Sequence, residues 1–185
     1  MKIAQIATLA RPVPPGGEGS IELLVSLITE DLVRRGHDAT LFALPSSKTS
    51  ARLVSPVLSS YVDDTNQWDW QLYENFQVRE AFLRWREFDV IHCHSYHFGL
   101  MYCDFVPIPS LHSFHTELGP DYLFLGEKTK NRHLIFCSRY QSRNFSQIQG
   151  THIVPHGVDL DPYKPRPRHE RDGYLAFLGR FIPGK

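Results

Sequence analysis

A chain of 185 residues buries one sizeable core, or two only if both are small. Its 20 basic and 20 acidic side chains balance, which removes the net field expected of a protein that binds nucleic acid or an anionic membrane. An apolar content of 42% suits an ordinary globular domain, and no run is long enough to span a bilayer.

In chain order, Lys2 to Thr8 reads as a short strand, stopped by a loop holding Pro12, Pro14, Pro15, Gly16, Gly17 and Gly19. Ile21, Leu24, Val25, Ile28 and Leu32 then recur at helical spacing and predict one apolar stripe. Ser20 is the expected N-cap, and Gly36 suits the position just past the helix end. Ala39 to Leu44 is a second strand, so the opening has the size of a βαβ unit. Residues 46 to 67, rich in serine, threonine and asparagine, read as a surface excursion. Trp68 to Phe88 reads as an aromatic helix with balanced charge. It lacks the basic face of a membrane-surface helix, so core or acceptor-side packing is expected and membrane attachment is not.

Four further strands are expected at Asp89 to His92, Ser110 to Phe114, His133 to Cys137 and Thr151 to Val154, with a helix over Ser138 to Gln147 capped by Ser138. Strands alternating with helices predict an α/β, Rossmann-like, doubly wound parallel sheet. Asp161 to Arg171, with three prolines and mixed charges, reads as a linker. The three cysteines lack CxxC spacing. Cys93 and Cys137 lie in apolar runs and are expected as buried thiols, and the chain, read as starting without a leader, is expected in the cytoplasm.

Three places carry chemistry. The loop from Pro14 to Glu22 lies between the first strand and the first helix, where doubly wound folds bind ligands. Its glycines permit close backbone approach to an anion, and the helix start offers free N–H groups. Its spacing matches neither a dinucleotide fingerprint nor a P-loop, and a ligand-free turn is an equal reading. In His92-Cys93-His94-Ser95-Tyr96-His97, the strand period puts His92 and His94 on one face. No third ligand stands nearby, so they are read as hydrogen-bonding residues at a strand end, and no metal or other cofactor is expected. His115 follows the strand-like run Ser110 to Phe114 at the same carboxyl edge, with His112 as runner-up.

These segments resemble glycosyltransferases of the family 4 type, which have a GT-B fold. The resemblance rests on Gly19-Ser20-Ile21-Glu22 at the helix start and Arg35-Gly36-His37-Asp38-Ala39-Thr40-Leu41-Phe42-Ala43 after it. It continues through Asp89-Val90-Ile91-His92-Cys93-His94, Pro109 to Thr116, Phe136 to Arg139, Ile153-Val154-Pro155-His156-Gly157-Val158-Asp159, and Gly179-Arg180 with Lys185. It implies that His115 is the active-site histidine, contacting the donor sugar and helping to hold charge near the anomeric centre. It also implies that Gly19 and the Ser20 N–H approach the donor diphosphate, which Arg180 and Lys185 help to hold as it leaves. Gly17, His94 and His112 are secondary candidates. Ser20 stands where the family usually has a second glycine, which would tighten the loop or shift the contact toward Gly17. His156 stands at a usual asparagine.

The resemblance further implies retention at the anomeric carbon, a nucleotide-diphosphate sugar and an acceptor as substrates, and no catalytic metal. Residues 1–160 would be the N-terminal GT-B domain, 161–172 the interdomain linker, and 173–185 the first strand and phosphate turn of a C-terminal domain that lies outside this chain. By itself the chain would be inactive. Two alternatives remain open at this point: a non-catalytic nucleotide-sugar or protein-binding module, and half of a GT-B-type nucleotide-sugar epimerase.

Overall fold

The computed structural model describes residues 1–64, 66, 69–161, 163–165, 167, 173, 175 and 177. Seven strands form one sheet in which every neighbouring pair is parallel. They are β1 (Lys2–Ile6), β2 (Asp38–Phe42), β3 (Arg52–Val54), β4 (Val90–Cys93), β5 (Ser110–Phe114), β6 (His133–Phe136) and β7 (Thr151–Ile153), in the spatial order β3-β2-β1-β4-β5-β6-β7. The chain winds outward from β1 to β3, then returns to lay β4 on the other side of β1. This reversal opens a crevice at the carboxyl ends of β1 and β4, where open α/β sheets place ligands.

Helix α1 (Ser20–Arg34) covers one face, with Val25 packed among Ala7, Leu41 and Ala43. Helix α2 (Trp70–Leu83) covers the other, burying Val78, Ala81 and Phe82 against Ala4, Ile6, Phe42 and Ile91. Helix α3 (Pro120–Lys128) and the short turn Arg143–Phe145 extend that second layer over β5 and β6. Helices on both faces of a parallel sheet confirm the doubly wound class. Among the described residues no helix is long and apolar enough to cross a membrane.

Several local expectations are corrected. The N-cap of α1 is Gly19, at φ 145°, and Ser20 is already helical, because the loop arrives in a conformation that only glycine adopts easily. The buried face of α1 is Glu22, Val25, Ser26 and Thr29, whereas Leu24 and Ile28 of the predicted stripe are only half-buried and line a groove. The 46–67 excursion contributes β3 and buries Ser47, Val57 and Ser60.

The helix expected over 138–147 does not form. Ser138 Oγ accepts from the Gln141 N–H, and the Ser142 and Ser146 hydroxyls donate to the carbonyls of Arg139 and Arg143. Such side-chain bonds compete with a helical ladder. The Gln141 side chain instead turns inward, donating to the carbonyls of Phe114 and Thr116. Helix α3, by contrast, does form, with Gly119 as its N-cap and Pro120 in its first turn. Cys93 is buried as expected, but Cys137 is only half-buried. Arg180 and Lys185 lie outside the described residues, as does the run from Tyr174 to Leu178 apart from Leu175 and Phe177.

Candidate functional site

The loop after β1 is held from three sides by side-chain hydrogen bonds, from two of them to its backbone and from the third to a hydroxyl. From α2, Glu74 Oε1 accepts from the Leu9 N–H at 2.7 Å, and Gln77 Nε2 donates to the Ala7 carbonyl at 2.8 Å. From the excursion, Ser47 Oγ accepts from the Val13 N–H at 2.9 Å, and the Ser60 hydroxyl donates to the Ala10 carbonyl at 2.7 Å. From α1, Glu22 accepts from the Thr8 hydroxyl at 2.6 Å. An irregular loop with its polar groups paired this way is a formed structure.

Gly19 closes the loop. A Cβ there would lie 2.8 Å from Pro15 Cβ and 2.9 Å from a Glu22 carboxylate oxygen. Helix α1 begins without a side-chain cap, so its first turn has unsatisfied N–H groups and the positive end of the helix dipole. Gly19, Ser20 and Glu22 line a cavity of about 600 Å³ with Thr8, Arg11 and Tyr96. Gly17 lies in an adjoining, more open depression with Arg11 and Asp63, which are ion-paired at 2.8 Å.

Glu74 is fully buried and joins three segments. Besides Leu9 it accepts from the hydroxyl of Ser95, just past β4, and Tyr61 of the excursion lies close enough to help lower its pKa. Burial raises its carboxyl pKa to about 7, more than these hydrogen bonds lower it. Tyr96, next to Ser95, has φ 49°, uncommon for a bulky residue, and borders both the large cavity and the histidines.

The histidines form a line across the switch point. Gln5 stands beside His92 in the β1–β4 register, and its Nε2 lies 3.3 Å from His92 Nδ1. Gln5 Oε1 lies 3.0 Å from His94 Nε2. His94 Nδ1 is 3.1 Å from His115 Nε2, and His115 Nδ1 is 3.3 Å from His156 Nε2. At the other end His92 Nε2 meets Ser113 Oγ at 2.8 Å. Burial, reinforced by neighbouring histidines, lowers His92 and His115 to about 4 and His94 well below its ordinary value. The rings are therefore neutral at neutral pH. Among the described residues no group of three or more side chains is placed to hold a metal ion.

His115, His94, Gly19 and Ser20 thus gather around Tyr96 and Ile21, which border both cavities. His112 does not join them. It lies under the opposite face, hydrogen-bonded to the Ser110 hydroxyl and pressed against Gly99. Its burial lowers it to about 3. Sequence reasoning missed Gln5, Glu74, Tyr61 and Tyr96. A polar residue inside the apolar run of β1 was the available signal for the first.

A model of Glycosyltransferase Family 4 matches residues 21–162 of the chain. No curated protein sequence matches it. Sucrose-phosphate synthase from Thermosynechococcus elongatus is similar with a TM-score of 0.62 at 15% identity, over 89% of this chain and 50% of that one. AviGT4, a glycosyltransferase involved in avilamycin A biosynthesis, gives 0.59 at 23% identity, over 88% and 43%. A glycosyltransferase from Rickettsia africae gives 0.56 at 14% identity, over 91% and 47%. At these identities the likeness is one of fold, and the chain spans about half the length of these structures.

Proposed function

The chain belongs to glycosyltransferase family 4, and from that premise we propose that it is the N-terminal half of a GT-B enzyme. In this reading the enzyme transfers a sugar from a nucleotide-diphosphate donor to an acceptor, with retention at the anomeric carbon. Residues 1–160 form the N-terminal domain, 161–172 the linker, and 173–185 open a second domain that completes the site. The observation that carries the reading is the convergence of the capless start of α1, the glycine loop and His115 on one crevice.

Each part has a role that its chemistry suits. The first turn of α1 and the Gly19 backbone accept the donor diphosphate, as helix starts do for anions. Arg180 and Lys185 add cationic contacts as the nucleoside diphosphate leaves, where charge develops. With the phosphates held this way, the transfer needs no divalent cation. His115, neutral and inward-bonded, orients a sugar group by hydrogen bonding. Its lowered pKa leaves it without formal charge to offer.

Titration of the isotopically labelled chain with UDP or GDP tests the assignment. Amide shifts should concentrate at Gly19 to Glu22, with affinity no tighter than about millimolar, worth about 4 kcal/mol, because half the site is elsewhere. Shifts confined to another surface would overturn the placement. Tight, sugar-specific binding by this chain alone would overturn the division of the site between two domains.

A further inference from the structure

We infer that Gln5 is a positioning residue that sets the protons of the whole histidine line, making His115 Nδ1 a hydrogen-bond acceptor. A side-chain amide has two unlike ends, and here each end meets one imidazole. The Nε2 end only donates, so His92 Nδ1 must accept from it at 3.3 Å. A neutral imidazole carries one proton, which for His92 then sits on Nε2 and is donated to Ser113 Oγ at 2.8 Å. The Oε1 end only accepts, so His94 Nε2 carries the proton and donates it at 3.0 Å. His94 Nδ1 is then a bare lone pair and accepts from His115 Nε2–H at 3.1 Å. With its proton spent there, His115 Nδ1 is bare too, and accepts from His156 Nε2–H at 3.3 Å.

Five groups thus take their orientation from one amide. Gln5 can hold that role because its place in the sheet is fixed, with its amide set Nε2 toward His92 and Oε1 toward His94. It is buried in β1, and the parallel register sets it beside His92. The backbone N–H of His94 donates to the Ile6 carbonyl at 2.9 Å, which sets the second imidazole against the same strand.

On the glycosyltransferase reading, the bare His115 Nδ1 also selects which part of a donor can meet it. The group that replaces His156 at Nδ1 must bring a proton, as a sugar hydroxyl does. An ionised phosphate oxygen, which only accepts, is rejected there. The line therefore separates the sugar end of a donor from its diphosphate end.

The ligand-free chain suffices for the test, through long-range proton–nitrogen NMR of the histidine rings at neutral pH. His92, His94 and His115 should each show a protonated Nε2 and a bare Nδ1. Gln5→Leu should leave the His94 and His115 rings as tautomer mixtures, and Gln5→Met, closer in length, gives the same readout if the leucine variant folds poorly. Nδ1-protonated His94 and His115 in the native chain would overturn the inference, as would unchanged tautomers in the variants. Titration with free ribose and with inorganic phosphate then tests the consequence separately. Ribose at high concentration should move the His115 Nδ1 signal and phosphate should not, whereas the reverse would refute the hydroxyl preference and leave the tautomer result standing.

Discussion

Glu74→Gln removes the ionisable group at the junction of α2, the loop after β1 and the end of β4. The native carboxyl has a folded pKa of about 7 against 4.5 for the exposed group. Because the folded value is raised, the folded state holds a proton that the unfolded chain has lost. The associated stability is fully present below pH 4.5 and is lost as pH rises through about 7. Integrating the proton linkage from about pH 5.5 to about pH 8.5 gives a loss of about 2 kcal/mol for this one group. Glutamine keeps an acceptor for the Leu9 N–H, and the Ser95 hydroxyl can turn to accept from its amide. Urea unfolding of both proteins at the two pH values measures the difference directly. The constant cost of exchanging the groups shifts both differences equally, so only the change between them matters. The native chain should lose about 2 kcal/mol relative to the variant on going to the higher pH. Parallel pH profiles would refute the claim that the buried carboxyl holds a proton near neutrality.

The interior histidines act with the opposite sign. His112, lowered to about 3 by burial, contributes stability that is complete above pH 6.5 and lost as pH falls toward its folded value. His112→Gln should therefore lose about 1.4 kcal/mol less than the native chain on acidification from about pH 7.5 to about pH 5.5, again by urea unfolding. Gly99→Ala would put a Cβ 2.6 Å from His112 Nδ1 and 3.0 Å from Cys93 Cβ, and should destabilise by about 1–3 kcal/mol, read as a lower Tm. Gly19→Ala meets both a φ of 145° and Pro15 at 2.8 Å. It should weaken UDP binding by at least about threefold while leaving the His94–His115 tautomers unchanged, and an undiminished affinity would remove the loop from the phosphate site.

Strands β1, β2, β4 and β6 were legible as short runs rich in apolar residues, and β5 and β7, more polar, were assigned as well. Only β3, three residues long and half-buried at the edge, has too little pattern to see. Helix α1 was legible in position but not in orientation. Its buried side is Glu22, Ser26 and Thr29 as much as Val25, because Glu22 bonds the Thr8 hydroxyl and helps hold the glycine loop. The stretch from Ser138 onward misled for a related reason. Its cap-like serine and helical length are real, but the Gln141 side chain is recruited to bond the carbonyls of Phe114 and Thr116. Periodicity registers apolar burial and is silent when polar side chains face inward to satisfy backbone.

The same limit explains which parts of the site could be read. Gly19, Ser20, His94 and His115 stand at strand and helix ends, where motif position announces them. Gln5 and Glu74 stand inside regular elements, where a polar residue carries no label of its own. Their meaning comes from pairing: Gln5 is beside His92 only through the parallel register of β1 and β4, and Glu74 reaches Leu9 and Ser95 only when α2 lies across that same pair. One polar interruption in a buried strand is ambiguous. Gln5 in β1, His92 in β4 and Ser113 in β5 are three such interruptions, and the sheet order β1-β4-β5 places them side by side on one face. A polar row across the centre of a parallel sheet costs stability unless every member is paired. Here the bonds from Ser113 through Gln5 to His115 supply that pairing, and they also carry orientation to the crevice, so the interior that looks least like a site is the part that sets its chemistry.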